Sequence, residues 1–303
     1  MKRVCFYHRA DKDGHCSGAI VANHFGKHNV EMIGWNYGEE FPWDKIDKDT
    51  QVFMVDLSLQ PWDKMVRLMG ECKQLVWIDH HKSAIDEYVK WRETSGQGDH
   101  IVEVSTKHAA CELVWNYFYG GELEDLDDDK EMPATVRLIG RYDIWEWENV
   151  PNALEFQYGL RIYDTNPENQ ELWGQLLAAG TMLIPRIVEE GRTILKYKQV
   201  QDKIHINSAG FELEFRGLRF LAINEMFNNS QLFDSRFDPE KHDAMLTFGY
   251  RKGKWHLGFY SPKKMCADRG IDLGAIAKEL GGGGHPGAAG CQVEELPFEL
   301  PRR

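Results

Sequence analysis

Positive charge is what this sequence has little of: 36 Lys and Arg stand against 48 Asp and Glu, a formal net charge of −12 over 303 residues. A chain of that sign repels phosphates at a distance, which excludes a protein that grips long nucleic acid mainly through a basic surface. It leaves open a phosphate-bearing substrate whose charge is met locally by metal ions. No apolar run approaches the ~20 residues that a membrane helix needs, so no membrane partner is expected. Cysteine is sparse: Cys5, Cys16, Cys72, Cys111, Cys266 and Cys291 form no C-x-x-C pair. Buried free thiols in a reducing compartment are the plain expectation. The opening residues, MKRVCFYH, read as a strand rather than a signal peptide, and the expected location is cytoplasmic. There is no internal repeat.

What is present is the composition of a soluble globular chain, 42% hydrophobic and 28% charged, long enough for two domains with separate cores. Residues 4–8, 31–35, 52–56 and 75–79 are short runs of β-branched and aromatic residues. Between them, 17–26 and 62–72 carry apolar positions three and four apart. Strands separated by helices predict an α/β fold with a doubly wound, mostly parallel sheet. Further helices are expected at 109–119, 134–145 and 170–183, and the acidic stretch 122–131 reads as a solvated loop rather than a calcium site. A long charged helix near 185–203 suits a connector. Strand-like runs at 211–215, 220–224, 245–250 and 255–260, then a helix at 273–280, predict a smaller mixed α/β domain. The division expected is 1–185, a linker helix 186–205, and 206–303.

Chemistry enters where the acids fall. The first strand ends in His8, followed by Asp11 and Asp13 before Gly14; the third ends in Asp56; the fourth ends in Asp79-His80-His81. In an open parallel sheet the carboxyl ends of the strands share one edge, and ligands bind there. Taken singly, an Asp after a strand is commonly a helix N-cap or turn former, and a His there is more often hydrogen-bonded than metal-bound. Three strand ends closed by Asp or His change that weighing, because so many such side chains need a cation to satisfy them. Oxygen and imidazole ligands without thiolate suit manganese or a similar divalent ion. Their number implies two ions about 3.5–4 Å apart, bridged by a carboxylate.

At this point the sequence resembles the DHH/DHHA1 phosphoesterase family, which includes oligoribonucleases and RecJ-related enzymes. Asp79-His80-His81 is similar to the family's signature, His8-Arg-Ala-Asp11-Lys-Asp13-Gly14 to its first motif, Val55-Asp56-Leu57-Ser58 to its second, and Arg141-Tyr142-Asp143 to its fourth. The run GGGGHPGAAG, from Gly281 to Gly290, resembles the hallmark of the DHHA1 domain. The resemblance implies that His8 and Asp11 hold one metal, that Asp13, His80 and Asp143 hold the other, and that Asp56 bridges them. Asp164 competes with Asp143. His81 would face the substrate phosphate, and Asp79 would orient the histidine pair. The cofactors implied are two divalent ions, manganese foremost, with magnesium or cobalt as alternatives.

Gly282 to Gly287 also fits G-x-G-x-x-G, but a dinucleotide fingerprint follows a strand and opens a helix. This run follows a helix and is broken by Pro286. Its glycines instead suggest a backbone nest for an anion, and the resemblance implies that Gly282, Gly283, Gly284 and His285 grip a substrate phosphate or terminal nucleotide. Where relatives often carry Ser-x-Arg, this chain has Ser261-Pro262-Lys263, so Lys263 or Arg269 would supply the charge, without the bidentate fork of an arginine at position 263. Trp35, Trp43, Trp145 and Trp147 read as packing residues before base-stacking ones. The function implied is metal-dependent hydrolysis of phosphodiester bonds in short oligonucleotides, dinucleotides or other small nucleotides. Alternatives are a pyrophosphatase or exopolyphosphatase, a 3′,5′-bisphosphonucleoside phosphatase, or a non-catalytic nucleotide sensor. A homodimer is a further expectation.

Overall fold

Strands β1 (Lys2–His8), β2 (Glu31–Trp35), β3 (Thr50–Val55), β4 (Gln74–Asp79) and β5 (Ile101–Val104) form a five-stranded sheet in the order β2-β1-β3-β4-β5, with every pairing parallel. The computed structural model describes residues 1–26, 28–95, 99–120 and 131–300. The chain divides into two compact units, Met1–Leu195 and Lys196–Arg303.

Period-two alternation builds both faces of the first sheet. Cys5, Tyr7, Phe53, Val55, Val76 and Ile78 point into one core, and Val4, Phe6, Val52, Met54, Leu75 and Trp77 into the other. The first core is covered by α1 (Lys12–Phe25), while α2 (Asp63–Glu71) and α3 (Lys82–Arg92) cover the second. The helices α4 (Ala110–Tyr119), α5 (Ala134–Asp143), α6 (Ala153–Gly159) and α7 (Gln170–Leu176) complete the first core. The strand order reverses direction between β1 and β3, which makes their carboxyl ends the topological switch point.

Helix α8 (Leu183–Ala209) gives its first half to the first unit and its second half to the second. The second unit holds β6 (Phe211–Phe215), β7 (Leu218–Ile223), β8 (Ala244–Arg251), β9 (Lys254–Tyr260), α9 (Lys263–Arg269), α10 (Leu273–Glu279), β10 (Gly283–His285) and β11 (Ala288–Val293). Its six-stranded sheet runs β10-β11-β9-β8-β7-β6, antiparallel except for β7 with β8. Phe220, Leu246, Phe259 and Leu273 fill one side, and Ile206, Leu221, Phe233 and Met245 the other.

Several expectations need correction. Helix α1 begins at Lys12 rather than 17, so Asp13 lies in its first turn and not in a loop. The helix expected over 170–183 stops at Leu176, and Gly180, at φ +69°, falls in the break before α8. Within the glycine run, Gly283–His285 and Ala288–Gly290 pair as the β10–β11 hairpin. The acidic stretch read at 122–131 lies outside the described residues except for Glu131. All six cysteines are free and buried, and among the described residues no helix is long and apolar enough to cross a membrane.

Candidate metal centre

The carboxyl end of β1 delivers His8, and the chain turns at once into α1. A Cβ at Gly14 would lie 2.0 Å from the His8 carbonyl oxygen, so only glycine lets the helix start this close to the strand. Asp11 is both helix cap and site residue. Its Oδ1 accepts the Gly14 N–H at 2.9 Å, while Oδ2 lies 2.8 Å from His8 Nδ1. Asp13, almost wholly buried, accepts the N–H groups of Ala110 and Cys111 at 2.9 and 2.8 Å. The first turn of α4 therefore holds its carboxylate in place.

Asp56 follows β3 with φ +61°, a left-handed conformation for a residue that is not glycine. Its N–H donates to the Ile78 carbonyl at 2.9 Å, which fixes the turn. The side chain is buried, Oδ1 lying 3.3 Å from His80 Nε2 and Oδ2 3.5 Å from His8 Nδ1, yet neither oxygen has a hydrogen-bond donor in good geometry. Backbone strain and unpaired buried oxygens coincide at the residue between the histidines, the sort of place where strain is kept for function. Asp79 Oδ1 accepts from the backbone N–H groups of His80 and His81 at 2.8 and 3.2 Å and lies 2.7 Å from His81 Nδ1. It thus orients the ring of His81, and only the backbone of His80. Asp143, the last residue of α5, brings Oδ2 to 3.3 Å from His80 Nε2.

These side chains form three groups whose potential ligand atoms lie within 4.8 Å of one another: His8, Asp11 and Asp56; Asp13, His80 and Asp143; and Asp56, His80 and His81. Asp56 and His80 each belong to two of them. The electrostatics show acids and imidazoles competing for protons. Burial works against the charged form of His8, but Asp11 and Asp56 outweigh it and hold the imidazole up to about 10. Burial likewise opposes the Asp11 carboxylate, and His8 overrides it, bringing Asp11 down to about 2. Asp56 and Asp143 are pushed well above the carboxylate range by burial and by neighbouring acids, Asp13 first among them. His80 and His81 are raised against burial, mainly by Asp143 and Asp79 respectively. All-oxygen-and-imidazole donors, crowded and partly unpaired, fit hard or borderline divalent cations.

Other candidates lie elsewhere. Asp164 is exposed, its Oδ1 accepting the Asn166 N–H in a local turn at 3.1 Å, and it joins none of the three groups. Arg269 donates to Asp243 Oδ1 and to the Pro239 carbonyl, each at 2.8 Å. Lys263 opens α9. Gly281 closes α10 at φ +80°, and the N–H groups of Gly281 and Gly282 reach the Lys278 and Ala277 carbonyls in a Schellman cap. A Cβ at Gly282 or Gly284 would strike the backbone of β11 at 2.1 or 2.5 Å. Close strand approach thus requires these glycines, a packing reason for them that is independent of any anion. Gly283 and His285 are exposed on β10. Trp35 is buried, Trp43 lies beneath the Arg67 guanidinium at 3.8 Å, Trp147 borders the first core, and Trp145 is 39% exposed.

Two residues were missed by the sequence reading. Tyr37, just beyond β2, sets its ring 5.8 Å from that of His8 and accepts the Ser58 N–H on its hydroxyl. Glu112 is fully buried beneath the same edge. The available signals were an aromatic two residues past a strand end, and an acid on the apolar stripe of a helix.

The same architecture occurs in known structures. The pGpG-specific phosphodiesterase PggH from Vibrio cholerae matches with a TM-score of 0.52 and 14% identity, covering 97% of this chain and 93% of that one. A DHH domain described as a member of a family of ribosomal proteins matches with a TM-score of 0.57 and 17% identity, covering 97% and 83%. An exopolyphosphatase-related protein from Bacteroides fragilis gives 0.51 and 11% over 99% and 88%. By sequence, an uncharacterized protein of Acanthamoeba polyphaga mimivirus is 23% identical over 98% of this chain and 69% of its own length. No family model matches the chain. The fold is that of the DHH-domain proteins, an all-parallel five-stranded unit followed by a mixed sheet.

Proposed function

We propose that this chain is a divalent-metal-dependent phosphoesterase of the DHH/DHHA1 family, hydrolysing phosphodiester bonds in short oligonucleotides or small nucleotides with two metal ions, manganese foremost. The observation that carries the reading is the buried, donor-free carboxylate of Asp56 standing between two groups of oxygen and imidazole ligands. His8 and Asp11 would hold one ion, Asp13, His80 and Asp143 the other, with Asp56 shared. Bound cations of this kind polarise the scissile phosphoryl group and supply an activated water near neutral pH.

The remaining roles belong to the chain itself. With Asp79 accepting from Nδ1–H of His81, the ring would present Nε2 to the substrate. From there it either neutralises developing charge or protonates the leaving oxygen. Gly283 and His285 are proposed as contacts for a substrate phosphate or terminal nucleotide, with Lys263 as an additional point charge. A small nucleotide substrate agrees with the net charge of −12 and with the pGpG specificity of the similar Vibrio protein.

The test is hydrolysis of bis-p-nitrophenyl phosphate with manganese and with chelator, followed by a panel of dinucleotides, longer RNA and DNA, pyrophosphate, polyphosphate and bisphosphonucleosides. Metal-dependent turnover with preference for the shortest diesters is expected. A folded protein without metal-dependent turnover would overturn the enzyme reading and favour a nucleotide sensor. A preference for polyphosphate would overturn the substrate and leave the chemistry.

A further inference from the structure

Two of the three side chains in the second ligand group depend on one place in the fold, the N-terminus of α4. Asp13 places both carboxylate oxygens on its first N–H groups, at Ala110 and Cys111. Glu112, in the same turn and with no exposed surface, folds back so that Oε2 accepts the Ala109 N–H at 3.2 Å. Its Oε1 accepts from Arg141 Nε at 3.0 Å, and Arg141 stands two residues before Asp143 on α5. The Arg141 guanidinium also reaches Glu146 at 3.2 Å and His108 at 3.4 Å. Gly140 completes the contact, since a Cβ there would come within 2.7 Å of Glu112 Cγ and Cδ. The glycine lets α5 lie directly on the Glu112 side chain. Neither Glu112 nor Arg141 belongs to any of the three ligand groups.

We infer that Glu112, through Arg141, is a positioning residue for the second metal site alone: it fixes the spacing between Asp13, which α4 holds, and Asp143 on α5. This rests on the two-metal reading above. The His8–Asp11–Asp56 group hangs from β1, the α1 cap and β3, and is held by contacts among its own members and by the Gly14 N–H. A buried carboxylate–guanidinium pair is costly to assemble and costlier to break on one side, and its attested use is to fix one geometry among several. Here the geometry fixed is that of two ligands on different helices.

The experiment is a titration of the metal-free full-length protein with manganese, followed by electron paramagnetic resonance and calorimetry, so that site occupancy rather than turnover is read. Wild type is expected to take up two ions. Glu112→Gln, which keeps the shape and loses the charge, is expected to weaken the second ion at least tenfold and leave the first unchanged. Gly140→Ala, which favours the helix yet pushes Glu112 aside, should show the same selective loss should Glu112→Gln fail to fold. Glu146→Gln, on the exposed side of Arg141, should bind both ions normally. Equal weakening of both ions in the folded variants would reduce Glu112 to a general structural role and overturn the inference, as would unchanged binding of both. Wild type binding no manganese would instead bring down the metal reading, and this inference with it.

Discussion

Asp56 concentrates the cost and the use of the site in one residue. Its backbone sits at φ +61° and its buried oxygens lack donors. Burial and the charges of Asp13 and Asp11 resist its ionisation. Asparagine matches its shape and tolerates the left-handed region, so Asp56→Asn tests the charge and not the turn. Outer-shell substitutions at metal sites already cost 10–100-fold, so loss of the shared ligand should lower metal-dependent activity by more than about 100-fold. The metal-free protein, relieved of a buried carboxylate among others, should be no less stable to urea than wild type. Near-normal activity in this variant would remove the bridge from the scheme.

His8 sets a second expectation at the same scale. With its folded value raised from 6.5 to about 10, the imidazole keeps its proton at neutral pH in the metal-free protein. A metal ligand must be neutral, so binding expels that proton. Manganese affinity should therefore rise with pH across 7 to 9, and calorimetry in buffers of different ionisation enthalpy should show proton release. An affinity flat over that interval would mean that His8 is not a ligand. In the absence of metal the sign reverses: the stabilising His8 contacts are fully present below about 6.5 and fade as pH rises through about 10.

At the scale of elements, what was legible in the sequence followed the strength of the local pattern. Strands β1, β3 and β4 announce themselves as apolar runs because both faces of the sheet are buried there, and their ends therefore pointed to the acids, whereas the edge strand β2 is half buried and was read from its aromatic and β-branched residues. β5 and α3 were not read, since residues 101–104 are only half buried and α3 buries only Ala84. The hairpin was hidden by composition. Glycine reads as a loop from sequence, whereas here the backbone of β11 leaves no room for a Cβ at Gly282 or Gly284. Asp11 shows that cap and ligand geometry need not compete, because its two oxygens face different partners. Glu112 was invisible because its meaning lies in Arg141, 29 residues away.

Asp243 does for the second unit's elements what Glu112 does for the first. It stands one residue before β8 and bonds Arg219 of β7 through both oxygens, at 3.1 Å each, and Arg269 at the end of α9 at 2.8 Å. Arg219 above all holds the carboxyl down to about 2, against burial, from the ordinary 3.8. A depressed carboxylate contributes stability that is complete above about 3.8 and is lost as pH falls toward about 2. The Arg219 side chain is about half exposed and that of Arg269 more than a third, so solvent screens the pair and Asp243→Asn should cost no more than about 1 kcal/mol at pH 7. The gap from wild type should close steadily in urea titrations as pH falls from 4 to 3. A gap independent of pH would show that the asparagine fails sterically, and not through charge.

For the whole molecule, the net charge of −12 is not spread without purpose. Asp11, Asp13, Asp56 and Asp143 converge at one sheet edge, where burial and neighbouring acids hold Asp56 and Asp143 well above the carboxylate range; in the proposed two-metal site, bound cations would reverse the local sign. If the site binds metal as proposed, binding is also a stability term for the unit that contains it, Met1–Leu195, which has its own cores. A ligand present at 100 times its dissociation constant stabilises the state that binds it by about 2.7 kcal/mol. The second unit, Lys196–Arg303, with cores of its own, has no share in the proposed ligand set and should gain nothing directly. Calorimetry with manganese and with chelator should then show one thermal transition rising with metal and another standing still. Asp243→Asn identifies the second, because it should lower only the transition that metal does not move. If both perturbations shift a single transition, the two units unfold together.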